Sequence, residues 1–221
     1  LVPVLGTLLE QKTKPTQHSV RELMAQGIHP DVIVARSEKP LEDPARKKIA
    51  LFCDVPLEAV VSAPDAKSIY QVPIFLEDQG LTDYLLKRMN LSLKSDGLTE
   101  WKKFLAKVMS PTHEVKILLV GKYMDQRDSY MSHYEAFTHA GAELDTRVKF
   151  LRIEAEDIDK TECKCMLDEA DGILIPGGFG SRGIEGKIDA IKYARENRVP
   201  FLGVCLGFQL ANVEFARNVL G

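Results

Sequence analysis

Cysteine, histidine and long apolar runs are all scarce in this sequence, and each scarcity excludes something. Four cysteines, Cys53, Cys163, Cys165 and Cys205, are spread irregularly over 221 residues. That excludes a disulfide-framed secreted scaffold and fits a reducing compartment. Cys163 and Cys165 form a C-x-C within "TECKCMLDEA", but no second ligand pair accompanies them, so no metal site is expected. No apolar stretch approaches the roughly 20 residues that cross a bilayer as a helix. The opening "LVPVLGTLLEQKTKPT" has too short an apolar part and no basic leader for a signal peptide. Without an initiating Met, it reads as the middle of a longer protein. A net charge of −3 gives no reason to expect nucleic acid or membrane as a partner. No G-x-x-x-x-G-K-[ST] occurs, so there is no P-loop in this chain. The expectation is a cytoplasmic protein.

What is present is an ordinary globular composition, 45% hydrophobic and 28% charged, enough for one large domain or two smaller ones. "DVIVAR" and "AVVSA" read as strands, with helices in "DPARKKIALFC" and "GLTDYLLKRMN". Strands alternating with helices imply a parallel sheet covered on both faces. The polar stretch "LSLKSDGLTEWKKFLAKVMSPTH", with Gly97 and Pro111, reads as a linker carrying one helix. A second alternation follows: the strand "VKILLVGKY", a helix through "SYMSHYEAFTHAG" that Gly141 should stop, and strands "RVKFLRI" and "DGILIPGG". After these come a helix in "GIEGKIDAIKYARENR", the strand "VPFLGV" and a last helix from about Leu206 to Val219. In that last helix Leu210, Val213 and Val219 should face inward. The fold class expected is α/β, two doubly wound, mostly parallel-sheet domains over 1–91 and 112–221, joined by a polar linker at 92–111.

Cys205 stands where the strand "VPFLGV" turns at once into a helix, with Gly203 and Gly207 two residues to either side. Small residues at those positions are what a nucleophile on a tight, strained turn requires. A helix N-terminus favours the thiolate, and the Leu206 N–H would face an oxyanion on the attacked carbonyl. Core packing is the alternative role for such a cysteine, and the turn geometry favours the nucleophile. "LIPGGFGSRG" ends another strand in glycines that leave backbone N–H groups open to a ligand. Both loops lie at C-terminal strand ends, where open α/β sheets bind ligands.

The third signal is "EQKTKPTQHSV", where Lys12 and Lys14 flank Thr13, Thr16 adds a hydroxyl, and Pro15 stiffens the loop before a helix. Two ammoniums, hydroxyls and a helix N-terminus suit a polyphosphate. Read from the residues alone, a solvated basic loop accounts for it slightly better.

Taken together, "KTKPTQHSV", "IALF", "DAKSIYQVP", "VGKY", "PGGFGSRG", "GVCLGFQL" and "EFARNVLG" occur in the order and at the spacing of the CTP synthase family, which the whole chain resembles. The resemblance implies the end of an amidoligase domain followed by the start of a class I glutamine amidotransferase domain. The implied reaction turns UTP, ATP and glutamine into CTP, ADP, phosphate and glutamate. By resemblance Cys205 matches the glutaminase nucleophile; Gly178, Leu206, Gly207, Phe208 and Gln209 match glutamine-binding and oxyanion positions. Lys12, Thr13, Lys14, Pro15, Thr16 and Gln17, with Lys48, match positions that bind UTP or the feedback inhibitor CTP. Pro64, Asp65 and Ala66 fall on the segment that contacts the ATP adenine. Phe208 stands where Met is usual, and Pro64 where a basic or imidazole side chain is common.

The resemblance further implies Mg2+, GTP as an activator, and a homotetramer able to form filaments. The family's P-loop and magnesium carboxylates fall upstream of Leu1, and its triad His and Glu downstream of Gly221. The five histidines here all precede Cys205. The chain by itself is therefore expected to make no CTP. Two other readings are a different triad amidotransferase or Cys hydrolase, and an inert assembly fragment of the same enzyme; the "KTKPTQ" stretch distinguishes the former.

Overall fold

The computed structural model describes residues 1–5, 10–93 and 97–221. They divide into two compact units, Leu1–Leu105 and Ala106–Gly221. In the first, a short antiparallel pair, β1 (Val4–Leu5) with β2 (Glu10–Gln11), precedes α1 (Lys14–Ala25). Strand β3 (Ile33–Ser37), α2 (Asp43–Phe52) and β4 (Val60–Pro64) form a β-α-β unit in which β3 and β4 pair in parallel. Helices α3 (Val72–Glu77) and α4 (Leu81–Arg88) follow, and α5 (Thr99–Met109) begins in this unit and spans its boundary at Leu105. Val2, Val20, Ile33, Ala35, Ile49, Cys53, Val55, Ala59 and Val60 make one core. Strand β3 buries alternate residues, whereas β4 buries Val60, Val61 and Ser62 in succession.

Helix α5 lies in the stretch read as a linker, of which residues 94–96 fall outside the described ones. It is anchored to the first unit by Trp101, whose Nε1–H donates to the Tyr70 carbonyl at 2.8 Å. Tyr70, Trp101 and Phe104 meet at ring-centroid distances of 5.1–6.0 Å, which suits tilted and edge-to-face packing.

The second unit is a four-stranded parallel sheet in the order β6-β5-β7-β8. Its strands are β5 (His113–Gly121), β6 (Thr146–Glu154), β7 (Gly172–Ile175) and β8 (Phe201–Gly203), linked by α6 (Met131–Glu143), α7 (Thr161–Glu169) and α8 (Ile184–Asn197), with α9 (Leu206–Phe215) last. Aromatic residues Tyr130, Tyr134 and Phe137, at or before α6, pack on one face against Leu119, Leu174 and Phe150. Helices α7, α8 and α9 bury Leu167, Ile188, Ile191 and Leu210 on the other face, against Leu118, Val120, Ile173 and Ile175. The chain steps from β5 to β6 on one side and then to β7 on the other. That reversal opens a crevice at the C-terminal strand ends.

Three local readings are corrected. Gly141 does not stop its helix, because α6 continues to Glu143 and the turn is made by Asp145 at φ 51°. Glycine is needed at 141 for contact instead, since a Cβ there would collide with the Thr146 carbonyl oxygen. Lys14 and Pro15 are the first turn of α1 rather than a loop before it. A proline fits there because its missing N–H is one that a helix start leaves unpaired anyway. Val219 is exposed, because α9 ends at Phe215 and the chain continues in a π-helical turn, Ala216–Leu220. The buried residues of α9 are Gly207, Leu210 and Glu214.

Candidate functional site

Cys205 is the N-cap of α9 and has φ 51° and ψ −105°. A non-glycine residue held there is strained by on the order of 1–3 kcal/mol, a cost that persists only where the surroundings enforce it. They do. The Val204 N–H donates to the Ile175 carbonyl at 2.9 Å, the Gly207 N–H to the Val204 carbonyl at 3.0 Å, and the Gln209 N–H to the Cys205 carbonyl at 3.1 Å. Glycines make the turn sterically possible. A Cβ on Gly203 would lie 2.7 Å from the Phe208 nitrogen, and one on Gly207 would collide with the Ile175 carbonyl oxygen. The thiol that results is exposed. Leu206, the first residue of α9, has an N–H with no intrahelical acceptor, and its side chain packs on the core. Phe208 and Gln209 are exposed on the same first turn.

The glycine-rich segment after β7 lies beside this turn. A Cβ on Gly177 would be 3.5 Å from Cys205 Cβ and 4.0 Å from its Sγ. One on Gly178 would be 3.9 Å from Leu206 Cδ2 and 3.6 Å from Lys187 Nζ. Cys205, Leu206, Gly177 and Gly178 are thus brought together as the two walls expected. This juxtaposition offers a thiol nucleophile and backbone N–H donors to a carbonyl.

Beneath the walls lie charges that pattern reading missed. Lys122, buried at the end of β5, donates to the Phe179 carbonyl at 2.8 Å. Glu154 ends β6 and accepts the N–H groups of Tyr123 at 3.2 Å and Met124 at 3.1 Å, and Arg182 Nη2 at 3.3 Å. The Arg182 guanidinium sits 4.9 Å from the Tyr123 ring centroid. Lys187, from α8, is fully buried; burial pushes its ammonium below the usual lysine range, Lys122's charge adds to that, and Glu154 opposes it. The "VGKY" motif held the signal for Lys122, but nothing in the sequence distinguished Lys187 from a surface lysine of α8.

Cys53 and Cys163 are buried, and burial pushes both thiols up. Cys165 is exposed, so the C-x-C pair divides between two faces of α7. Among the described residues no group of three or more His, Cys, Asp or Glu is placed to hold a metal ion.

In the first unit, Lys12 Nζ pairs with Glu10 at 2.6 Å. The Glu10 carboxyl is held below its usual range by Lys12 and, at greater range, by Lys48. Lys12, Lys48 and Glu10 are therefore neighbours. Gln11 fixes their register by donating to the Pro40 carbonyl at 2.8 Å and accepting the Glu42 N–H at 2.8 Å. Lys14 is exposed at the start of α1. The hydroxyls nearby face inward: Thr16 donates to the Leu1 carbonyl at 2.8 Å, and Thr13 accepts from Gln17 Nε2 at 3.0 Å. Pro64 ends β4, and Pro64 and Ala66 line a cavity of about 240 Å3 with Arg36, Ile69 and Phe75. Asp65 pairs with Arg36 at its mouth.

Comparison with known proteins divides the chain in the same two parts. Residues 1–91 match the family model for the CTP synthase N-terminus, and residues 126–221 that for class-I glutamine amidotransferases. The chain is 57% identical over 220 residues to the CTP synthase of Pyrococcus furiosus, covering all of this chain and 41% of that protein. Against the CTP synthase of Caldanaerobacter subterraneus it is 54% identical over 221 residues, again all of this chain and 41% of the relative. With that of Methanocaldococcus jannaschii it shares 51% over 227 residues, covering 42% of the relative. A solved structure, the Trypanosoma brucei CTPS glutaminase domain with bound acivicin, aligns at 40% identity with a TM-score of 0.45, covering 48% of this chain and 42% of that one. The chain spans about two fifths of the length of the curated relatives it matches.

Proposed function

We propose that the chain is part of a CTP synthase, supplying the glutaminase nucleophile and part of the nucleotide site of a glutamine-dependent CTP synthesis. The observation that carries the reading is the strained, exposed Cys205 beside Gly177. Cys205 Sγ adds to the carboxamide carbon of glutamine, and the oxyanion forms against N–H groups of the Gly178 and Leu206 segments. The C–N bond then breaks. The thiol's proton leaves with the amine as ammonia, and a γ-glutamyl thioester remains for water to hydrolyse to glutamate and free thiol. Ammonia displaces phosphate from the 4-position of UTP after ATP has phosphorylated that oxygen, giving CTP, ADP and phosphate.

Lys12, Lys14 and Lys48 hold the triphosphate of UTP or of the inhibitor CTP, with Thr13, Pro15, Thr16 and Gln17 shaping that turn. Pro64, Asp65 and Ala66 border the adenine of ATP. Mg2+ serves the ATP phosphates; the described residues of this chain offer it no cluster of ligands, so no step above is assigned to it. GTP as activator, a homotetramer and a cytoplasmic setting complete the reading. Among the described residues no helix is long and apolar enough to cross a membrane.

The experiment is Cys205→Ala in the full-length protein. Glutamine-dependent CTP formation should vanish while ammonia-dependent formation persists. Loss of both, or of neither, would remove Cys205 from the role.

A further inference from the structure

Lys187 Nζ is fully buried and has no hydrogen-bond partner among the described residues. An unpaired buried amine or ammonium is costly, and one in a native structure calls for an explanation, a role in the site's chemistry among them. What lies against it is Gly178. Further along the loop, Lys122 already secures the Phe179 carbonyl at 2.8 Å and reaches the Gly180 carbonyl at 3.4 Å. The carbonyls of Gly177 and Gly178 accept no hydrogen bond among the described residues. One half of the loop is tied to a lysine, and the other half has a lysine waiting beneath it.

The glycines point the same way. Neither Gly177 nor Gly178 has a positive φ. A Cβ on either would meet its nearest neighbours at 3.5 Å or more, which is ordinary contact. Nothing in this conformation demands glycine at either position. The freedom that glycine confers is freedom to turn a peptide over. In a planar trans peptide the carbonyl and the N–H point in opposite directions. A Gly177 carbonyl turned onto Lys187 therefore aims the Gly178 N–H away from Lys187, and a Cβ built on Gly177 would lie 3.5 Å from Cys205 Cβ.

We infer that Lys187 is a positioning residue of the thiol site: it receives the Gly177 carbonyl when substrate engages, and so presents the Gly178 N–H to the oxyanion formed at Cys205. The inference rests on the glutaminase reading above and adds to it a residue and a conformational step. It is a role for a donor, so an uncharged donor can take it over even where, as in glutamine, the nitrogen sits one bond nearer the backbone.

The test uses the full-length protein and compares Lys187→Met, which keeps the stem and removes the donor, with Lys187→Gln, which restores one. Glutamine hydrolysis is read beside alkylation of Cys205 by iodoacetamide, a displacement at saturated carbon that forms no oxyanion. Lys187→Met should lower glutaminase kcat by about 10²-fold, the scale of one lost oxyanion donor, with KM and alkylation rate within about threefold of the parent. Lys187→Gln should recover most of kcat. Equal losses in kcat and alkylation would show a structural role only and overturn the inference, as would an unchanged kcat in Lys187→Met. If wild-type protein hydrolyses no glutamine, the glutaminase reading itself fails. Should Lys187→Met not fold, a structure of the wild-type γ-glutamyl thioester decides: Lys187 Nζ is expected on the Gly177 carbonyl, and finding it still unpaired overturns the inference.

Discussion

Gly203 and Gly207 face each other across the elbow so closely that a Cβ on the first would lie 2.7 Å from the carbonyl carbon of the second. Two glycines four residues apart, one ending β8 and one in the first turn of α9, are thus what lets the chain reverse over β7 and lift Cys205 clear of the sheet. Gly207→Ala drives its new methyl into the Ile175 carbonyl, and backbone does not yield as a side chain would. Overpacking of this kind costs about 1–3 kcal/mol, and relief comes only by moving the turn. Gly203→Ala and Gly207→Ala should each lower the melting temperature and slow labelling of Cys205 by an electrophilic glutamine analogue at least tenfold. Wild-type labelling in Gly207→Ala would mean that the elbow geometry is not what activates the thiol.

The four thiols separate by environment. Cys53 and Cys163 are buried with their thiols pushed up, while Cys165 and Cys205 are exposed. Iodoacetamide on the native protein should therefore modify Cys165 and Cys205 and spare the other two. A glutamine-shaped electrophile should modify Cys205 alone, because only there does a glycine wall offer N–H donors beside the thiol. Peptide mapping after a limiting dose reads both. Equal labelling of Cys165 by the glutamine analogue would reduce Cys205 to an ordinary exposed cysteine.

Much of this arrangement was legible in the sequence because it depends on short-range patterns. A strand of apolar residues, a cysteine and two flanking glycines suffice to specify the elbow, and the glycine run after β7 names its opposite wall. What was not legible depends on which surfaces meet. Lys187 sits in a helix sequence where lysine is ordinarily solvated, and only the packing of α8 under the glycine loop buries it. Glu214, in "NVEFARN", looks like a surface residue until Arg195 from α8 is placed over it. Gly141 resembled a helix stop because that is glycine's commonest use, whereas its reason here is contact with Thr146 on β6.

Arg195 encloses Glu214, with Nε donating to both carboxylate oxygens at 3.1 and 3.0 Å and Nη2 to one at 2.8 Å. The carboxylate is 1% exposed, so Arg195→Leu leaves a buried charge uncompensated. The expected loss is about 3 kcal/mol, at the lower end for a broken buried pair because the arginine is partly solvated. The pair also fixes a pH dependence. The Arg195 hydrogen bonds hold the Glu214 carboxyl below its usual value near 4.5. A carboxylate depressed in the folded state contributes stability above its unfolded pKa and loses it as pH falls through the folded one. Denaturant unfolding between pH 6 and pH 3 should show the parent losing more stability than Arg195→Leu, whose curve should be flatter below about pH 4.5. Parallel curves would mean that the pair contributes nothing to acid sensitivity.

The last prediction concerns the basic turn before and within α1. Lys12 is occupied by Glu10 at 2.6 Å, and Lys48 also acts on that carboxylate. A triphosphate arriving there must compete with Glu10 for Lys12, whereas Lys14 is exposed at the start of α1 with no such competitor among the ion pairs of the described residues. The two lysines should therefore respond differently. If Lys14 holds the triphosphate as proposed, Lys14→Ala should raise the UTP requirement and the CTP inhibition constant together, by roughly ten- to a hundredfold. Lys12→Ala should do less, since part of its charge is already balanced. Glu10→Gln should act in the opposite direction, releasing Lys12 and tightening both UTP and CTP severalfold. Steady-state kinetics of the full-length protein at varied UTP and CTP measure all three. If Lys14→Ala leaves both nucleotides unaffected, the turn is a solvated basic surface. If UTP weakens while CTP inhibition does not, the two nucleotides do not share these lysines.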